Sequence, residues 1–103
     1  AYREIHFYNK EITENYNHRV LSYVRWSDNQ KLIIVSNFDA NDHFSFDLKL
    51  PVDLMKNWKL KEGTYALQDA LYGHSNSLRI ENGEGHVAIS LNPLESFIFE
   101  LKF

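Results

Sequence analysis

The chain has 103 residues, enough for one domain and too few for two. A hydrophobic fraction of 44% with 15% aromatics is too apolar for a disordered chain, and four glycines and two prolines exclude a collagen-like or linker-like polymer. A net charge of −3, with Lys and Arg scattered, leaves no electrostatic footprint for nucleic acid or an anionic membrane, and zero cysteines exclude disulfides and thiolate metal sites. No apolar run approaches the span of a transmembrane helix, no signal-peptide pattern is present, and no Asn-x-Ser/Thr sequon occurs. The compartment is left open: secreted, periplasmic and cytoplasmic settings all fit. The chain starts Ala1-Tyr2-Arg3 without Met, so it reads as a piece of a longer protein.

Residues 1–18 are more polar and less regular than the rest. They are expected to be a lead-in from an upstream domain, with Glu4 to Asn9 as an edge strand. Arg19 to Trp26 and Lys31 to Phe38 are apolar on both faces, which predicts central strands covered on two sides. Asp28-Asn29-Gln30 joins them as a hairpin turn. Asp39 to Asp42 is a second turn signal, predicting a second hairpin and a three-stranded meander. The strand after it, His43 to Leu50, alternates cleanly, with Phe44, Phe46, Leu48 and Leu50 on one face.

Pro51 suits a helix start, so Val52 to Trp58 reads as a short helical turn. Tyr65 to Leu71 and Ser77 to Glu81 read as strands. Asn82-Gly83 is a strong hairpin signal, which Glu84-Gly85 could lengthen. Gly85 to Leu91 alternates again, and Asn92-Pro93 breaks the chain. In the final run Phe97, Phe99, Leu101 and Phe103 form one row. Seven or eight short strands bounded by turns predict an all-β, antiparallel Greek-key β-sandwich over residues 19–103.

No catalytic, cofactor-binding or metal-binding residue emerges from this pattern. His6, His18, His43, His74 and His86 show no ligand spacing. Asp28, Asp39, Asp42 and Asp69 sit in or near turns, where Asp caps backbone donors. Nothing places two carboxylates on facing walls of a cleft, as glycoside hydrolysis needs. Ser75 and Ser77 lack a nucleophile elbow, and Gly83-Glu84-Gly85 is too short and acidic to cradle phosphate. Exposed aromatics could stack on sugar rings; Trp58 and Tyr72 are the candidates, because both lie outside the regular alternation. Trp26 ends an apolar strand and is expected to be packed. Arg25 shares a strand face with Leu21 and Tyr23, so it is expected to pair with a carboxylate or to contact a neighbouring domain.

Several segments, in order, resemble one family. Val24-Arg25-Trp26, a turn, then Leu32 to Phe38 ending in Asn37-Phe38 is similar to the hairpin opening domain C of α-amylase-family glycoside hydrolases. Leu48-Lys49-Leu50-Pro51, Leu67 to Gly73, and the closing Ile89 to Leu101 with Asn92-Pro93 follow the same family pattern. The resemblance implies an eight-stranded Greek-key sandwich packed against an upstream (β/α)8 barrel of the same chain, where the family's catalytic acids reside. On this resemblance the chain is a non-catalytic accessory domain of an enzyme acting on α-glucans. The alternative is a module binding starch or maltooligosaccharide through exposed aromatics.

Overall fold

Eight strands and two short helices occupy residues 1–102, the residues that the computed structural model describes. The final aromatic of the predicted closing row, Phe103, lies outside them. The chain opens with β1 (Tyr2–Glu4) and α1 (His6–Ile12), followed by β2 (Val20–Trp26), β3 (Lys31–Asn37) and β4 (Phe44–Leu50). Next come α2 (Val52–Asn57), β5 (Gly63–Asp69), β6 (Ser75–Glu81), β7 (Glu84–Leu91) and β8 (Ser96–Lys102). The strands form an antiparallel sheet in the order β1-β2-β3-β8-β5-β6-β7-β4. Hairpins join β5 to β6 and β6 to β7, while β4 returns beside β7 and reaches β5 through α2. That is the Greek-key connection, as expected.

The sheet folds over one core. Val20 and Val24 of β2, Ile33 and Val35 of β3, and Phe97, Phe99 and Leu101 of β8 belong to the same buried cluster as the inward rows of β4, β6 and β7. Strand alternation supplies both rows, since every second side chain faces inward. Leu54, Met55 and Trp58 of the α2 region and Ile5 join this cluster. At Asn82-Gly83 both residues have positive φ (54° and 81°) and Glu81 pairs directly with Glu84. The turn is therefore a two-residue type I′ hairpin, and Glu84-Gly85 belong to the strand. Gly85 cannot carry a side chain freely: a Cβ there would lie 2.9 Å from Met55 Sδ and 3.0 Å from Leu50 Cβ.

Helix α2 ends in a Schellman motif. The Lys59 amide donates to Lys56 O at 3.0 Å and the Leu60 amide to Met55 O at 3.1 Å. Lys59 adopts φ 60°, a left-handed conformation usually filled by Gly.

Four expectations need correction. The predicted edge strand Glu4 to Asn9 is displaced: the strand is Tyr2–Glu4, and His6–Ile12 is helical. Ile5, Asn9 and Thr13, at helical spacing, face inward and are nearly inaccessible. The second hairpin does not form. β3 pairs with β2 and β8, and β4 pairs with β7. The reason is a hydrogen-bonded corner after β3. Asn37 Nδ2 donates to Asp42 O (2.8 Å) and Asn92 O (3.1 Å), and the Asp39 carboxylate accepts the amides of Asn41 and Asp42. The chain is thereby sent over the core to the far edge of the sheet instead of back alongside β3. β2 is covered on one face only, since Leu21 is 38% exposed, whereas Ile34 of β3 is buried on the outer face. Finally, β5 stops at Asp69, and Leu71 stands exposed in the following loop.

Candidate functional site

The two outer faces of the sheet differ in chemistry. On β4, β6 and β7 the outward positions are Ser45, Asp47, Lys49, Ser77, Arg79, Glu81, Glu84, His86, Ala88 and Ser90. Asp47, Lys49, Arg79, Glu81, Glu84 and His86 knit into one polar network. Asp47 meets Arg79 Nη2 and His86 Nδ1, each at 2.9 Å, and Lys49 Nζ at 3.5 Å. Arg79 continues to Glu81 at 2.9 Å, and His86 Nε2 lies 3.5 Å from Glu84. Tyr8 of α1 donates to Glu84, and burial pushes its phenol up to about 12.

The outer face of β2, β3 and β8 carries an apolar row instead. Tyr23, Ile34 and Ile98 sit side by side in register, flanked by Leu21 and Leu32. Tyr2 of β1 continues the patch, its ring 5.4 Å from that of Tyr23 and 62% exposed. Arg25 lies on this face and is exposed. Among the described residues no carboxylate lies within ion-pair distance of it, contrary to expectation. Its register neighbours are Tyr2 and Leu32, and Glu100, one strand further, is engaged by Gln30 and Lys102.

The two aromatic candidates part company. Trp58 is 4% exposed, its ring 6.0 Å from Trp26, and its indole N–H has no partner among the described residues. A ring so buried presents no exposed platform to a sugar, contrary to expectation. It lies outside the strand alternation because it closes the core at the end of α2. Trp26 is partly buried and packs against the core. Tyr72 is 62% exposed. Its amide donates to Asp69 Oδ2 at 2.7 Å, and its ring stands edge-on to Phe97 and beside His74.

The remaining titratable groups serve turns and packing. Asp69 is buried and also accepts the amides of Leu71 and Ile98. Asp39 is 3% exposed; the Asn41 and Asp42 amides, with Arg19 at 2.6 Å, hold its carboxyl below the usual carboxylate range. His6 contacts Tyr16, His18 is exposed, and His43 bonds Ser90. Among the described residues, no group of three His, Cys, Asp or Glu converges as metal ligands would.

Sequence reasoning passed over two features. One is Asn9, whose amide accepts the Lys49 N–H at 2.6 Å and donates to Lys49 O at 2.8 Å, covering part of the free edge of β4. The other is a groove of about 460 Å³ lined by Asn15, Tyr16, Asn17, His43, Phe44 and Ser45. Its residues are far apart in sequence, so no local motif announces it.

The family model of the α-amylase C-terminal all-β domain matches residues 12–102. No curated protein matches the chain. Among solved structures it is similar to a Glu-to-Gln variant of AmyP crystallised in complex with maltotriose, with a TM-score of 0.56 and 23% identity. The alignment covers 87% of this chain and 16% of that one, so the chain spans about a sixth of its neighbour's length.

Proposed function

Because the chain belongs to the α-amylase C-terminal all-β domain family, we propose that it is the non-catalytic accessory domain of a glycoside hydrolase acting on α-glucans. In this reading it packs against the catalytic (β/α)8 barrel of the same chain and stabilises it. The observation that carries the reading is the contrast between the two outer sheet faces. One is a solvated ion network, while the other presents Tyr2, Leu21 and Tyr23 around the Ile34–Ile98 row. A contiguous apolar surface rimmed by polar residues marks a contact surface. Arg25 at the rim would then meet the neighbouring domain, and residues 1–18 would form the passage from the barrel into the sandwich.

The test uses Leu21→Asp together with Tyr2→Asp. Both side chains are exposed in the isolated domain, so beyond the Tyr2–Tyr23 ring contact, about 1 kcal/mol, its own stability should change little. In the full-length enzyme the same pair should lower the temperature of thermal inactivation. An unchanged inactivation temperature would refute the docking assignment.

A second reading, direct binding of maltooligosaccharide, is favoured by one observation: Tyr72 is exposed on a loop whose Leu71 and Tyr72 amides bond the Asp69 carboxylate. Tyr72→Ala should then weaken retention of the domain on insoluble starch. Equal retention of both forms would remove Tyr72 as a contact.

A further inference from the structure

We propose that the groove between the α1–β2 loop and the start of β4 binds a neutral oligosaccharide. Its volume of about 460 Å³ falls within the roughly 300–1,000 Å³ of small-molecule sites. No Asp, Glu, Lys or Arg lines it, so phosphates and other strongly charged ligands find no counter-charge. What it offers are side-chain amides, hydroxyls and an imidazole beside the partly buried ring of Phe44, a set that suits an uncharged ligand with many hydroxyls.

The groups are free to act and held in place. Asn15 sits at φ 66° and is exposed, and among the described residues no hydrogen bond engages its side-chain amide. Asn17 Oδ1 accepts the Arg19 amide at 2.8 Å, and its carbonyl accepts the Val20 amide at 3.0 Å, which fixes the loop. Tyr16 anchors the floor, its ring edge-on to Phe46 and its hydroxyl 2.7 Å from Ser22 Oγ. Across the groove, His43 Nε2 bonds Ser90 at 2.8 Å, leaving Nδ1 for a ligand.

The strand edge adds backbone groups. The Lys49 N–H and C=O point away from β7, because both bond Asn9. In an antiparallel pair this direction repeats at every second residue. Asp47 and Ser45 therefore also turn their peptide groups outward, and Asp47 O is taken by Lys49 Nζ. Ser45, which lines the groove, by the same alternation turns its peptide N–H and C=O away from β7, toward the open edge. An uncovered edge beside neutral polar side chains is a ready hydrogen-bonding surface.

The identity of the sugar as an α-glucan rests on the function proposed above. The experiment is an NMR titration of the intact chain with maltoheptaose and, separately, with cellohexaose at millimolar ligand. Maltoheptaose should shift the backbone amides of Asn15, Asn17, His43 and Ser45 and the side-chain amide of Asn15. Asn15→Gly keeps the left-handed backbone without the amide, and Ser45→Arg fills the groove from an exposed position. Each should weaken binding by about tenfold, the equivalent of roughly one hydrogen bond, in a domain whose spectrum stays folded. No shift at these residues would overturn the proposal. Shifts confined to Leu71–His74 would overturn the groove but leave the α-glucan reading standing. Equal shifts with cellohexaose would support the groove and overturn its α-glucan specificity.

Discussion

Replacing Asn9 by Leu should detach α1 from the sandwich without opening a large hole. Asn9 is 0% exposed and makes four side-chain hydrogen bonds. The bond to Ile5 O matters least, because that carbonyl also accepts the Asn9 amide at 3.1 Å. The other three, two to the Lys49 peptide and one from Thr13 Oγ1, have no substitute among the described residues. At about 1 kcal/mol each, their loss amounts to about 3 kcal/mol. Stranding the hydroxyl of Thr13, itself 7% exposed, adds to this, while water reaching the Lys49 peptide and the better helix propensity of Leu subtract a similar amount. A net loss of about 3 kcal/mol is a large part of the roughly 5–15 kcal/mol that holds a small domain folded. Urea unfolding reads the loss, and native-state hydrogen exchange reads its location at the Lys49 amide. A loss under about 1 kcal/mol, with Lys49 still protected, would refute the view that this one amide seals the strand edge.

Lys59→Gly should stabilise the domain by roughly 0.5–1 kcal/mol, because Gly fills the left-handed residue of the Schellman motif without strain; an unchanged or lowered thermal midpoint contradicts this. Gly85→Ala should cost about 1–3 kcal/mol, since the new methyl meets Met55, Leu50 and the Leu78 Cδ1 at 3.1 Å; a midpoint equal to the parent's would mean that Met55 simply moves aside. The folded-state carboxyl of Asp39 titrates below its ordinary value of 3.8, so its contribution is complete above that pH and is lost as pH falls further. Asp39→Asn should therefore flatten the acid limb of a stability–pH curve, and an unaltered limb would refute the assignment. Burial raises the Tyr16 phenol from 10.0 to about 12, so its protonated form favours folding up to pH 10 and that advantage fades as pH rises towards 12; tyrosinate absorbance during alkaline unfolding tests this.

Much of the architecture was legible because its signals are local. Period-two rows located β4, β7 and β8, a polar turn joined β2 to β3, and Asn-Gly set the β6–β7 hairpin. Misreadings arose where a local signal serves two geometries. Asp39 to Asp42 looks like a hairpin turn, yet the same residues build a corner once the Asp39 carboxylate turns back on its own loop. Helix α1 was hidden because its buried position, Asn9, and its C-cap, Thr13, are polar and meet their partners only after folding. Trp58 looked unattached for a similar reason: its neighbours, Trp26 among them, are supplied by other elements. The polar and apolar outer faces could not be told apart until pairing brought Tyr23, Ile34 and Ile98 into one row.

The strand order has a consequence for synthesis. β8 is the last of these eight strands to leave the ribosome, yet it lies in the middle of the sheet, hydrogen-bonded to β3 on one side and β5 on the other. Until it arrives, β3 and β5 each present an open edge, and Phe97, Phe99 and Leu101 are missing from the cluster. A nascent chain halted before Ser96 therefore holds two unpaired edges and an unfilled interior, a state open to proteases and to pairing with other chains. The sheet is therefore completed only when β8, through Lys102, has been made.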